Sequence, residues 1–159
     1  MAYFKEQYPN ILLPIADMNS EGLRNAQLGA IHSISSYYTL FDKKPALIVM
    51  PTGSGKTSVL IMTAFLQRVS RVLIITPSRL VRGQIFEEFS KSTTLKKIGV
   101  IPKVFKNPKV IEITGYLKTW DQWEELTHYD AVVSTPNCIY QAIKDNIKIP
   151  DDLFSLSLT

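Results

Sequence analysis

The sequence predicts an α/β fold in three layers, a mainly parallel sheet with helices on both faces. Three observations carry that prediction. Short apolar runs at 46–50, 71–76 and 129–134 suit strands buried on both faces. Each run leads through a turn into a stretch whose apolar residues recur at three- and four-residue spacing, the period of a helix. Each turn carries the residues that end a strand or start a helix: Gly53 and Gly55, then Pro77, then Pro136. Parallel strands need long crossovers, and a repeated strand–turn–helix order supplies them.

With 159 residues, of which 45% are apolar, the chain can bury one sizeable core and not a second of similar size. The net charge of +4 is compatible with a polyanionic partner without requiring one. Cys138 is the single cysteine, which excludes an internal disulfide or a cysteine metal cluster and fits a reducing compartment, the cytoplasm. In a helical pattern it reads as core. The apolar stretch Ile11-Leu-Leu-Pro-Ile-Ala16 is too short to span a bilayer and is broken by Pro14, so neither a signal peptide nor a membrane partner is expected.

In chain order, residues 1–22 show no sustained period and read as an irregular lead-in to a domain over 23–159. From Leu23, a helix is predicted by Ala26, Ala30, Ile31, Ile34, Tyr37, Tyr38 and Phe41. Gln27 near its start offers a donor and an acceptor together, which suits the adenine N6/N7 edge. By chemistry alone the commoner reading is a polar residue on the wet face of the helix.

The run 46–50 then meets Met50-Pro-Thr-Gly-Ser-Gly-Lys-Thr57, and a helix follows through Val59, Ile61, Met62, Phe65, Leu66 and Val69. A glycine turn at a helix start aims several backbone N–H groups and the positive helix end at one point, a cradle for a polyphosphate. Thr52, Gly53, Ser54 and Gly55 would form the cradle, Lys56 would reach the β- and γ-phosphates, and the Thr57 hydroxyl would hold Mg²⁺. The strict phosphate-loop pattern has glycine where this chain has Met50. The competing reading is a plain Gly/Ser turn with a solvated lysine.

Strand 71–76 leads to Thr76-Pro-Ser-Arg-Leu-Val-Arg-Gly-Gln84, with Thr76 as the expected N-cap and Pro77 as the first helical residue. Ser78 and Arg79 beside that helix start make a second anion site or an ordinary capped helix. Six lysines between Lys91 and Lys109, with no acidic residue among them, read as a solvated, loop-rich excursion with at most one short strand. A third strand is expected at 110–114, ended by Gly115. Trp120, Trp123 and Leu126 then recur at spacings of three, and both tryptophans read as core. After strand 129–134, Thr135-Pro136 repeats the Thr-Pro device, so the Gly53, Pro77 and Pro136 turns should share one sheet edge.

Together these motifs resemble the first RecA-like domain of superfamily 2 helicases and translocases, particularly the branch of type I and type III restriction-enzyme motor subunits and their DEAD/DEAH-like relatives. The resemblance runs from about Leu23 to Thr159. Arg24-Asn-Ala-Gln27 is similar to the motif whose glutamine contacts adenine, and residues 50–57 to motif I, whose first position in this superfamily is often not glycine. Pro77, Ser78, Arg79 and Gln84 are similar to motif Ia. Ser134, Thr135, Pro136 and Asn137 are similar to a later strand-end motif, with Gly115 resembling the small glycine motif between them. The resemblance implies ATP and Mg²⁺ as ligands, Arg24 and Gln27 at the nucleotide, and Lys56 and Thr57 as its catalytic residues.

It also implies that the motif Ia, glycine and strand-end residues contact a nucleic-acid backbone, of DNA more than of RNA. The family's acidic Walker B pair would follow a hydrophobic strand, and residues 150–159 look like the approach to that strand. Asp151 and Asp152 precede the apolar positions instead of following them. The expectation is therefore the ATP-binding half of a nucleic-acid-dependent motor, incomplete at its C-terminal end, lacking its second RecA-like domain and not hydrolysing ATP by itself. A nucleotide-responsive switch module is the alternative. A small-molecule kinase fits less well, because it needs the first glycine of the loop and a mobile arginine-bearing lid.

Overall fold

The computed structural model describes residues 2–41 and 44–159; Met1 of the lead-in lies outside them. Its sheet has four strands, β1 (Val72–Ile75), β2 (Val110–Glu112), β3 (Ala131–Ser134) and β4 (Leu156–Leu158), in the order β2-β3-β1-β4. All three pairings are parallel, with Val72 opposite both Ala131 and Leu156, and Val110 opposite Ala131. Alternation along these strands sends side chains to two faces, as the pleat requires. Val72, Ile74, Ala131 and Val133 join one buried cluster, and Leu73 and Val132 join another on the opposite face.

Helices cover both faces and complete the three layers. Against the first face lie α1 (Tyr3–Gln7), α2 (Asn25–Leu40), α3 (Lys56–Leu66), α4 (Arg79–Lys91) and α5 (Thr93–Lys97). Against the second lie α6 (Trp120–Glu124), a 3₁₀ turn over Glu125–His128, and α7 (Pro136–Lys144). On α2 the residues Ile31 and Ile34 turn inward, and on α3 Val59, Ile61, Met62 and Phe65 do. At the opposite end of the sheet from the turns, Arg71 donates to the carbonyls of Tyr129, Leu153 and Thr127 at 2.6–2.7 Å, tying the entries to β1, β3 and β4 together.

Several expectations need correction. The lead-in is not wholly irregular: Tyr3 and Phe4 on α1 are buried and stack edge-on in an aromatic group with Phe65 and Phe105. A five-residue helix falls below what periodicity detects, and burial against Phe65 is what stabilises it. The lysine-rich excursion contains α5, and its charges are partly spent locally, Lys97 on Glu21 at 3.1 Å and Lys96 on Asn107 at 2.8 Å. Trp123 is fully buried as expected, but Trp120 is 43% exposed. The helix after β1 starts two residues later than expected: Ser78, not Thr76, is the N-cap and accepts from the Val81 N–H at 3.3 Å. The Thr76 hydroxyl instead donates to the Ser134 carbonyl at 3.2 Å, bridging the ends of β1 and β3.

The largest difference concerns the run 46–50, which forms no strand; Leu47, Ile48 and Val49 are 90%, 41% and 84% exposed. Apolar β-branched residues favour a strand only when neighbouring strands receive them. Here the available neighbour is β4, three residues long, and no further strand stands on the other side among the described residues.

Candidate functional site

Two clefts open at the C-terminal edge of the parallel sheet. The first surrounds the glycine turn. Gly53 and Gly55 adopt left-handed backbone angles, φ +77° and +86°, which favour glycine. Gly55 is the N-cap of α3, so the positive end of an eleven-residue helix points from this turn. Among the described residues, the N–H groups of Gly53, Gly55, Lys56 and Thr57 donate to no protein acceptor. The Ser54 hydroxyl and Lys56 Nζ both donate to the Pro51 carbonyl, at 2.7 and 3.1 Å. A cluster of open N–H groups with a lysine folded beside it fits a polyphosphate, whose oxygens would replace that single carbonyl. Lys56 and Met50 also border a cleft of about 420 Å³ with Ser157, Leu158 and Thr159, which sets the turn beside the end of β4.

The two α2 residues singled out by sequence clasp this turn from below. Arg24 Nη1 donates to the Gly53 carbonyl at 2.9 Å, and Gln27 Nε2 donates to the Gly55 carbonyl at 3.3 Å. Gln27 Oε1 accepts from the Arg24 N–H at 2.9 Å, so both ends of the amide are engaged. Gln27 is 5% exposed and is not on a wet helix face. A Cβ on Gly55 would sit 2.3 Å from Gln27 Nε2, so a larger residue would displace the Gln27 amide in addition to straining the left-handed backbone angle.

The second cleft, about 300 Å³, lies where the ends of β1, β2 and β3 converge. Pro77, Ser78, Arg79, Gly115, Thr135, Pro136 and Asn137 all line it. Two helices of more than two turns start here: α4 is capped by Ser78, and α7 begins at Pro136 after Thr135. Two of the expected residues stand elsewhere. Gln84 borders a separate shallow groove with Gly83 and Glu87 on the outer side of α4. Ser134 is completely buried, and its hydroxyl donates to the Thr135 carbonyl at 3.3 Å, so it shapes the turn from within.

The cleft also has members that belong to none of the sequence motifs. Arg82 and Tyr116 line it, and Arg82 is buried at 7% exposure. The signal was present in the spacing. Arg82, Ile85 and Phe89 fall at positions i, i+3 and i+7 of α4, which puts a charged residue on that helix's inward stripe. Among the described residues no group of three or more His, Cys, Asp or Glu could hold a metal ion, and no helix is long and apolar enough to cross a membrane.

A parallel sheet with helices on both faces, a phosphate-type turn at its C-terminal edge and a second anion-ready cleft beside it define a RecA-like domain of the superfamily 2 helicase type. The model of the DEAD/DEAH box helicase family matches residues 24–157, and the chain belongs to that family. Among solved structures it is similar to a protein from Sulfolobus tokodaii described as a hypothetical ATP-dependent RNA helicase, with a TM-score of 0.55 and 20% identity. That similarity covers 99% of this chain and 40% of the other, so the chain spans less than half the length of the solved protein it matches. At this identity the likeness is one of fold. No curated protein sequence matches the chain.

Proposed function

We propose that this chain, over residues 23–159, supplies the ATP-binding half of a nucleic-acid-dependent ATPase, a helicase or translocase. The observation that carries the reading is the pairing of two anion-ready surfaces on one sheet edge, a glycine turn with open N–H groups and a cleft floored by two helix starts. Thr52, Gly53, Ser54, Gly55 and Lys56 receive the phosphates of ATP, with Arg24 and Gln27 bracing the turn and facing the nucleotide. Thr57 offers its hydroxyl to Mg²⁺. Bound Mg·ATP supplies the phosphoryl bond whose cleavage drives the cycle; Lys56 and Thr57 contribute charge stabilisation and positioning, the main demands of phosphoryl transfer. An adenine contact by Gln27 requires Nε2 to share or release the Gly55 carbonyl, which would couple base recognition to the shape of the turn.

The second cleft is assigned to the nucleic-acid backbone. Pro77, Ser78, Arg79, Gly115, Thr135, Pro136 and Asn137 would meet phosphates there, with Gln84 on the flank and Ser134 supporting the turn from within. Such contacts fix register and carry no base information. The restriction-motor resemblance favours DNA, whereas the solved relative is described as an RNA helicase. A second RecA-like domain would complete the groove, and a group outside the residues named here would hold the attacking water.

The test uses the purified 159-residue chain. Mg·ATP at a hundred times its Kd should stabilise it by about 2.7 kcal/mol, and single-stranded DNA and RNA of one sequence should bind with salt-dependent affinity. Equal stabilisation by a small metabolite with no nucleic-acid binding replaces this reading with a kinase or switch module. Oligonucleotide-stimulated ATP hydrolysis that Lys56→Ala abolishes overturns the assignment of binding without turnover.

A further inference from the structure

Arg82 is a buried charge with two specific partners. Its Nε donates to Glu112 Oε1 at 2.5 Å, and its Nη1 donates to the Ile113 carbonyl at 3.0 Å. Glu112 is the last residue of β2, and Thr114-Gly115-Tyr116 follow Ile113 directly. The Ile113 N–H in turn donates to the Val133 carbonyl at 2.8 Å. The backbone entering the Gly115 turn is therefore held on one side by β3 and on the other by α4. Arg82 sits one turn along α4 from Ser78 and Arg79 and lines the same cleft, facing the end of β2.

Burying an ion pair is a poor way to gain stability, since an apolar pair of similar volume often serves as well or better. What a guanidinium adds is a rigid planar fork that satisfies two acceptors in fixed directions, which a lysine ammonium does not reproduce. Both acceptors here belong to the end of β2, so the fork sets the spacing between the α4 start and the Gly115 turn. No other side-chain ion pair among the described residues joins two walls of this cleft.

We infer that Arg82 is a positioning residue for the nucleic-acid surface: through Glu112 and the Ile113 carbonyl it fixes the Gly115 turn relative to Ser78 and Arg79, and it does not contact the nucleic acid itself. This rests on the proposed reading of the cleft. Arg82→Lys keeps the charge and loses the fork, which separates positioning from attraction. A residue that contacted phosphate would tolerate lysine, because an ammonium also binds phosphate as a point charge.

The experiment measures anisotropy of a fluorescein-labelled single-stranded oligonucleotide across a salt series, with Mg·ATP thermal stabilisation as the control. Arg82→Lys should weaken oligonucleotide binding about tenfold, in the range found when a supporting residue is lost. The salt slope and the Mg·ATP stabilisation should both stay unchanged. Arg79→Ala, by contrast, should lower the slope by about one. Should Arg82→Lys fold poorly, the double variant Arg82→Met with Glu112→Leu restores an apolar fit, and weak binding should persist in it despite recovered stability. Retained affinity in Arg82→Lys, or restored affinity in the double variant, overturns the positioning role alone. No oligonucleotide binding by the unsubstituted chain overturns the reading of the cleft and this role with it.

Discussion

At the cleft, three paired strand ends deliver the lining residues, the Thr76 hydroxyl bridges β1 to β3, and Arg82 ties α4 to the end of β2. At the glycine turn, the run 46–50 that leads in has no strand partner, and the loop is gripped instead by two side chains from α2, Arg24 and Gln27. The cleft is thus fixed by the sheet, whereas the turn is fixed by local backbone angles and a side-chain clasp. A surface held by the sheet is shaped before its ligand arrives. A turn held by two side chains leaves more of its order to be supplied by the ligand, which costs affinity and allows the ligand to signal its presence.

Amide hydrogen exchange gives the widest test of this contrast. The Leu47, Ile48, Val49 and Met50 N–H groups make no hydrogen bond among the described residues, while Val132 lies in the centre of the sheet. Val132 should exchange at least about a thousandfold more slowly, because core amides open only with global unfolding. Mg·ATP should slow the 46–50 group; equal protection of both regions without nucleotide removes the distinction.

The next effect concerns what lies beneath the turn. Phe65 on α3 is fully buried against Tyr3, Phe4 and Phe105, and Phe65→Ala should cost about 3–5 kcal/mol in urea unfolding. A loss below about 1 kcal/mol would mean that the aromatic group does not anchor α3. Lys56→Ala should remove the Mg·ATP stabilisation of about 2.7 kcal/mol and leave oligonucleotide affinity intact, since Lys56 stands outside the cleft. Loss of both would show that the two surfaces are one. Ser78→Ala, which removes the α4 cap, should cost about 1 kcal/mol and weaken the cleft alone.

The smallest effect appears at alkaline pH. Burial, and then the charge of Asp130, push the Tyr3 phenol above its usual range, and its hydroxyl donates to the Lys106 carbonyl at 2.5 Å. A raised folded-state pKa means that this contribution is complete below the unfolded value of about 10 and is lost as pH rises beyond it. Thermal unfolding should therefore show an alkaline decline, and Tyr3→Phe should flatten it. An unchanged decline in that variant assigns the effect to other groups.

Most of the sheet and helices is legible in the residues alone, because periods of two and 3.6 survive without tertiary context. Strand 129–134 and the helix from Leu23 were legible for that reason, and so was Cys138 as core. The α4 cap is ambiguous in sequence, because Thr76 and Ser78 can both cap and only the bond from Thr76 to Ser134, across 58 residues, decides between them. Trp120 and Trp123 share one spacing pattern, yet a five-residue helix has too little inward face to bury both. The clasp of Gln27 on Gly55 lay beyond sequence reading altogether, since it joins residues 28 apart through a side-chain amide.

By itself, the sequence determined the α/β class and the glycine turn, because the backbone angles that turn requires are a local property of Gly53 and Gly55. Tertiary structure decided the remainder: that 46–50 pairs with no strand, that the Pro77 and Pro136 turns share a cleft, and that Arg82 is paired rather than exposed. Those outcomes depend on contacts between distant segments, where burial and pairing outweigh the preference of any single residue.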